Sequence, residues 1–133
     1  MNKRKLTISI TKDETVSAIL TMPENTKKSY EAGLITAHGA GNDMENELLV
    51  AFTDGLARAG YPALRFNFPY KEKGQKAPDG QKKLEDTWAA VCQYFKKNID
   101  IHVDHLIAAG KSMGGRVASQ MVAEKKIPVE GLG

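Results

Sequence analysis

One short segment of the sequence combines residue types that could carry out nucleophilic chemistry. Gly110, Ser112 and Gly114 form the pattern G-x-S-x-G, which follows the apolar run 106–109 and precedes a stretch with helical periodicity. A serine at so sharp a strand-to-helix turn adopts a strained backbone conformation, and only small flanking residues avoid collisions there. Gly110 and Gly114 meet this steric demand. The turn would raise the Ser112 hydroxyl above a sheet edge, where helix-terminal N–H groups, that of Met113 first, stabilise an oxyanion.

Two other interpretations of this segment involve no nucleophile. The serine could simply cap the helix that follows it. A phosphate-binding loop would instead require G-x-x-x-x-G-K-[ST], with a glycine five residues before Gly110. That position holds His105, so the backbone wrap around a phosphate is missing. The strand before the pattern and the helix after it favour a nucleophilic Ser112.

A second glycine-rich segment, His38-Gly39-Ala40-Gly41, follows an earlier apolar run and precedes another helical pattern. Its backbone can approach a ligand closely because two of its residues lack a side chain. Its position is similar to that of the loop that carries the other oxyanion donor in α/β-hydrolases. We expect the Ala40 N–H to be the second donor, with Gly39 and Gly41 shaping the loop. His38 is expected to support the loop through hydrogen bonds and not to act as a base.

Apolar periodicity predicts the elements that position these segments. Five stretches have strand patterns, the first two as an antiparallel hairpin: Lys5–Ile10, Val16–Met22, Gly33–Ala37, Pro62–Phe68 and Leu106–Ala109. Three have helical spacing: Glu45–Ala59, Leu84–Ile99 and a stretch from near Met113. A polar excursion spans Tyr70–Lys83, and a last strand is expected to start at Val129. The order of elements predicts an α/β fold, with a mostly parallel sheet and helices on both faces.

Chain length, charge and composition limit the classes of protein and partner that the sequence allows. The chain has 133 residues, one domain's worth, and 19 basic against 16 acidic residues give a net charge of only +3, so no nucleic-acid partner is expected. The apolar run Leu6–Ile10 is too short for a signal peptide or membrane helix, so a cytoplasmic location and no membrane partner are expected. The single cysteine, Cys92, is expected to be a core residue. No metal-ligand spacing is present, and no metal or cofactor is expected.

Four segments together resemble the dienelactone-hydrolase-like α/β-hydrolase family, whose members are mostly uncharacterised bacterial serine hydrolases. They are His38–Gly41, the run RFNFPY at 65–70, Pro78-Asp79, and GKSMGGR at 110–116. The resemblance extends from about Gly33 to Gly133 and implies an α/β-hydrolase fold that cleaves an ester, lactone or related acyl bond. It also implies that an acid follows a later strand and that a histidine follows the last one.

The residues after Ser112 cannot complete such a catalytic triad. None of them is a histidine, and the acids Glu124 and Glu130 do not lie on a loop beyond a carboxyl edge. His102 and His105 precede the serine, on the approach to its strand at the opposite edge of the sheet, and are expected to be surface or packing residues. Without a base to accept its proton, a serine is a weak nucleophile.

We therefore expect residues 1–133 to form a single, incomplete α/β-hydrolase domain that is truncated before the last strands and inactive by itself. Its expected partners are a small-molecule acyl substrate and a second copy, through self-association at the exposed edge and face of the truncated sheet. The alternative is a non-catalytic, hydrolase-like scaffold or binding domain.

Overall fold

The computed structural model describes residues 2–124, 126, 129 and 131–132. Six strands form one sheet: β1 (Asn2–Thr11), β2 (Glu14–Met22), β3 (Ser29–Ala37), β4 (Ala63–Phe66), β5 (His102–Gly110) and β6 (Gly131–Leu132). Their spatial order is β1-β2-β4-β3-β5-β6. The hairpin β1–β2 and the pair β2–β4 are antiparallel, whereas β3 to β6 run parallel. The expected mostly parallel sheet with an antiparallel hairpin is confirmed.

Four helices connect these strands: α1 (Glu47–Arg58), α2 (Pro69–Glu72), α3 (Gln81–Asn98) and α4 (Met113–Ala123). Successive strand residues point to opposite faces of a sheet, and two neighbours in β4 show which helix covers which face. Arg65 donates to the carbonyl oxygen of Met44 beside α1. Phe66 packs edge-to-face on Trp88 of α3, with 5.1 Å between ring centroids. Helices therefore cover both faces of the sheet, as the sequence predicts.

The main core lies between the sheet and the helices α3 and α4. Trp88, Cys92 and Phe95 of α3 are buried there, as their helical spacing predicts. The Trp88 indole N–H donates to Gly114 O at 3.1 Å, which joins α3 to the start of α4. Burial raises the pKa of the Cys92 thiol to about 12, so this cysteine is a packing residue without thiolate character at neutral pH.

Several boundaries differ from the predicted ones. Strands β3 and β5 begin earlier than Gly33 and Leu106, at Ser29 and His102. The prediction missed their first residues because exposed polar residues interrupt the apolar pattern there. His102 and His105 consequently lie within β5 and not before it. The last strand begins at Gly131 instead of Val129. Glu130 lies outside the described residues.

The predicted polar excursion 70–83 contains the short helix α2. This helix begins with Pro69, a residue suited to the first helical position because its fixed φ matches the helix and it has no N–H to satisfy. The Tyr70 N–H in its first turn donates to the Asp79 carboxylate at 2.9 Å. A contact between residues this far apart along the chain leaves no periodic signal.

No helix among the described residues is long and apolar enough to span a membrane.

Candidate active site

Ser112 lies at a sharp turn between β5 and α4, with φ 51° and ψ −114°. It is the one residue other than glycine with positive φ in the described part of the chain. Such a conformation costs of order 1–3 kcal/mol and persists only where the surrounding structure imposes it. The side chain of Ser112 is exposed, so the strained turn presents its hydroxyl at the surface.

Glycines impose this turn because backbone packs directly on backbone. A Cβ added to Gly110 would collide with the backbone of Gly115 and would lie 2.7 Å from Gly114 C. A Cβ on Gly114 would lie 2.6 Å from His38 O. Gly115, which the sequence analysis left without a role, is equally constrained, since its Cβ would lie 2.5 Å from Gly110 O. The sequence feature that could have revealed this constraint is the second of the two consecutive glycines, which directly follows the motif.

The second predicted segment lies directly against this turn. A Cβ on Gly39 would lie 3.1 Å from Lys111 O and 3.3 Å from Ser112 Cβ, so only a glycine fits comfortably here. The Asn42 N–H closes a turn onto Gly39 O at 3.2 Å, and Gly41 has φ +81° within it. The structure thus brings the two glycine-rich segments together, as the parallel pairing of β3 with β5 requires.

The two backbone donors expected from the sequence lie on these two segments. Ala40 occupies the exposed turn that follows β3, and Met113 is the first residue of α4. Neither N–H donates a hydrogen bond to any residue that the structure describes. Within the described residues these two N–H groups thus have no partner.

His38 is fully buried and uses both ring nitrogens. Its Nε2 accepts from the Phe68 N–H at 3.1 Å, which puts the ring proton on Nδ1, and Nδ1 donates to Gly39 O at 2.9 Å. Burial is the main cause that lowers the pKa of His38 below its usual value. A neutral imidazole with both nitrogens occupied cannot take a proton from Ser112, and its contacts fix the course of the loop.

Residues at the end of β4 hold the rest of this loop, and the sequence analysis gave them no role. Arg65 Nη1 donates to Met44 O at 3.0 Å and to Glu45 Oε1 at 2.9 Å. Asn67 Oδ1 accepts from the Met44 N–H at 2.8 Å. The sequence feature that could have revealed their role is this pair of polar residues, two positions apart, at the end of an otherwise apolar strand.

The remaining histidines lie far from Ser112. His102 and His105 are exposed and stand toward the amino end of β5, whereas Ser112 follows its carboxyl end. At a rise of about 3.3 Å per residue, the five residues from His105 to Gly110 alone span roughly 17 Å. Glu124, at the end of α4, is also exposed. The described residues contain no group of three or more histidines, cysteines or acids placed to hold a metal ion.

Comparison with known families identifies the class of protein. A family model described as an alpha/beta hydrolase domain matches residues 30–132, and the chain belongs to this family. Comparison with curated protein sequences finds no similar protein.

Solved structures share the fold. Est1E from Butyrivibrio proteoclasticus superposes with a TM-score of 0.78 at 25% identity, over 96% of this chain and 49% of its own. A dienelactone hydrolase from Anabaena variabilis ATCC 29413 gives 0.81 at 17% identity, over 98% and 61%. XC6422 from Xanthomonas campestris, a serine hydrolase without a lid, gives 0.72 at 20% identity, over 96% and 58%. The chain thus spans about half to three fifths of the length of these structures.

The glycine contacts generate a first prediction. We expect Gly114→Ala to lower the free energy of unfolding by about 1–3 kcal/mol, because its Cβ must displace the His38 carbonyl. The matched control is Gly55→Ala, also in a helix, where an added Cβ meets nothing within 4 Å. The control should gain about 0.5–1 kcal/mol through the lower entropy of the unfolded chain. Urea unfolding measures both, and equal effects would contradict the close packing at Gly114.

The buried imidazole generates a second prediction. Because the pKa of His38 is lowered in the folded chain, its stabilising effect is complete above about pH 6.5 and is lost as the pH falls, when the unfolded chain gains a proton. The loss should reach at most about 1.4 kcal/mol per pH unit below that value. Urea unfolding at pH 7.5 and 5.5 should show a smaller loss for His38→Gln than for the wild type. The exposed control Ala51→Ser, which changes no titratable group, should keep the wild-type difference, and an unchanged loss in His38→Gln would refute the assignment.

Proposed function

We propose that this chain carries the nucleophile and the oxyanion hole of a serine hydrolase that cleaves an ester, lactone or related acyl bond. In this proposal Ser112 Oγ attacks the acyl carbon, and the N–H groups of Ala40 and Met113 stabilise the negative charge that develops on the carbonyl oxygen. The observation that carries the proposal is the positive φ of Ser112, held by glycine packing beside the loop that bears Ala40. No cofactor is required for this chemistry.

The environment of Ser112 supports nucleophilic attack more than helix capping. An N-cap serine accepts a hydrogen bond from an N–H in the first turn of the helix. Ser112 makes no such capping bond to α4, and its φ lies outside the extended region that N-caps favour. An exposed serine oxygen that caps no helix is free to approach a substrate, which supports the proposal.

We further propose that the catalytic histidine and acid lie outside these 133 residues, so that the chain by itself turns over slowly or not at all. His38 is occupied at both nitrogens, and His102 and His105 stand toward the opposite end of β5. Addition of a serine hydroxyl to a strongly electrophilic ketone gives a hemiketal in which the hydroxyl proton passes to the former carbonyl oxygen. Because no group leaves, this reversible step depends less on a base than acyl transfer does.

The acyl class of the substrate is supported by similarity. A structure of Est1E, 26% identical to this chain, contains bound ferulic acid, which is a carboxylic acid. Carboxylic acids are the products of ester hydrolysis. We therefore propose a carboxylic ester or lactone as the substrate class of the whole protein.

An experiment on the chain itself tests the nucleophile and one donor. An aryl trifluoromethyl ketone should form a hemiketal with Ser112, seen as a new ¹⁹F resonance that Ser112→Ala abolishes. Ala40→Pro removes the proposed N–H donor, yet proline suits this turn, in which Ala40 precedes a glycine of positive φ. We expect the adduct to weaken by about a hundredfold, the effect of losing one oxyanion donor. The control Ala40→Ser keeps the N–H and should bind like the wild type.

Three results would contradict parts of the proposal. An adduct that persists in Ser112→Ala would assign the nucleophile elsewhere. A wild-type chain that folds cooperatively but forms no adduct would favour the non-catalytic scaffold. Equal binding by Ala40→Pro and Ala40→Ser would remove Ala40 from the oxyanion hole.

We also propose that the chain self-associates through its apolar α1 face and the exposed part of the sheet face beside it. Leu48 and Phe52 of α1 are 58% and 40% exposed and line a cavity of about 270 Å³ together with Thr36 and Ala109. Large exposed apolar residues around a cavity are typical of surfaces that associate.

Sedimentation velocity at increasing concentration tests the association. We expect the wild type to form dimers or larger species and the double variant Leu48→Ser, Phe52→Ser to shift toward monomer. Ala51→Ser, an exposed change on the same helix, is the control and should associate like the wild type. A wild type that stays monomeric at all concentrations would contradict the proposal.

A further inference from the structure

We propose that Asn67 is a positioning residue that fixes the turn carrying the Ala40 N–H, an inference that rests on the proposed function. The segment between β3 and α1, residues 38–46, is called the 38–46 loop here. It contains no helix or strand of its own, so contacts with neighbouring elements must define its course. The strongest of these contacts come from residues 65–68, at the end of β4.

Asn67 is itself firmly placed. Its backbone N–H donates to Ser17 O at 3.0 Å, which continues the pairing of β4 with β2 by one residue. Its side-chain Nδ2 lies 3.3 Å from Glu72 Oε1 in α2, and the same carboxylate oxygen accepts from the Ser17 N–H. Asn67 thus presents its remaining polar atom, Oδ1, from a fixed position.

That atom accepts from the Met44 N–H at 2.8 Å, while Arg65 Nη1 donates to Met44 O at 3.0 Å. Both polar groups of the Met44 backbone are therefore held by side chains of β4 and its extension. The next residue of β4's extension, Phe68, holds His38 at the other end of the loop. The 38–46 loop is fixed on both sides of the turn that contains Ala40.

Hydrogen bonds within the loop join the residues on either side of Met44 and extend to that turn. Asn46 Nδ2 donates to Asn42 Oδ1 at 3.1 Å, and the Asn42 N–H donates to Gly39 O at 3.2 Å. Residues 42 and 46 thus bracket Met44, so a change in the position of Met44 alters the turn that ends at Asn42. Because the Ala40 N–H lies inside this turn, its direction depends on Asn67 although Asn67 itself is not placed to touch the oxyanion.

Arg65 contacts the same backbone but is a poorer test of this idea. Its side chain is nearly fully buried and its Nε has no hydrogen-bond partner within the described residues, so removing it would disturb the core as well as the loop. Asn67 is only partly buried, and its loss leaves the packing of β4 in place.

The decisive experiment compares Asn67→Ala with Glu72→Ala in the 133-residue chain. Glu72→Ala is the control, because it removes the other contact of the Asn67 side chain but leaves the bond from Met44 to Asn67. Amide hydrogen exchange is followed at Asn42, whose N–H closes the turn, with Lys111 as an internal reference because its N–H bonds to Ala37 outside the loop. We expect Asn67→Ala to speed exchange at Asn42 by about two- to tenfold, the range for losing one hydrogen bond, and to leave Lys111 unchanged. Glu72→Ala loosens the hold on the Asn67 amide but keeps its bond to Met44, so it should speed exchange at Asn42 less than Asn67→Ala does and should leave Lys111 unchanged.

The adduct with the trifluoromethyl ketone gives a second readout. Asn67→Ala should weaken the adduct by a similar factor, whereas Glu72→Ala should weaken it less. Unchanged exchange at Asn42 in a folded Asn67→Ala chain would overturn the inference, whether or not the ketone adduct is weakened. If the wild type forms no adduct, the proposed function fails, while the exchange at Asn42 still decides whether Asn67 positions the turn. Should Asn67→Ala not fold, Asn67→Ser, which is too short to reach Met44, provides the same comparison.

Discussion

The turn at Ser112 depends on direct contact between the backbone at the end of β5 and the backbone at the start of α4. Residues 110, 114 and 115 are all glycine, and a Cβ at any one of them would lie within 2.7 Å of a neighbouring backbone atom. This contact leaves no room for a gentler bend, so the residue between them adopts a positive φ. Burial of the first turn of α4 against the core, together with the bond from Trp88 to Gly114 O, stabilises the strained arrangement.

The order of the strands explains why the other segments collect at the same place. Ala37, at the end of β3, pairs with Gly110 on one side and with Phe66 on the other, so three parallel strands end side by side. Loops that follow the carboxyl ends of parallel strands form the usual binding crevice of such sheets. Here the loop after β5 supplies Ser112, the loop after β3 supplies Ala40, and the extension of β4 holds the latter loop in position.

Local patterns in the sequence were sufficient to predict most of this architecture. The buried strands and the long helices follow from apolar periodicity, and the glycines at 110 and 114 follow from the steric demands of the motif. The helix α2 could not be predicted, because its first turn is satisfied by Asp79, a distant residue. The contacts of Arg65 and Asn67 with Met44 were missed for the same reason, since they join residues more than twenty positions apart. Exposed polar residues interrupt the starts of β3 and β5 and weaken the apolar signal there, so both strands were predicted too short.

In the proposed site the strained Ser112 hydroxyl bonds to the acyl carbon, and two N–H groups from separate loops converge on the acyl oxygen. A crystal structure of the chain with an aryl boronic acid tests this arrangement most directly, because the boronate mimics the tetrahedral intermediate. The account predicts a bond from boron to Ser112 Oγ, with one boronate oxygen about 2.7–3.1 Å from both Ala40 N and Met113 N. A boronate bonded to Ser112 whose oxygens all lie beyond hydrogen-bonding distance of these two nitrogens would contradict it.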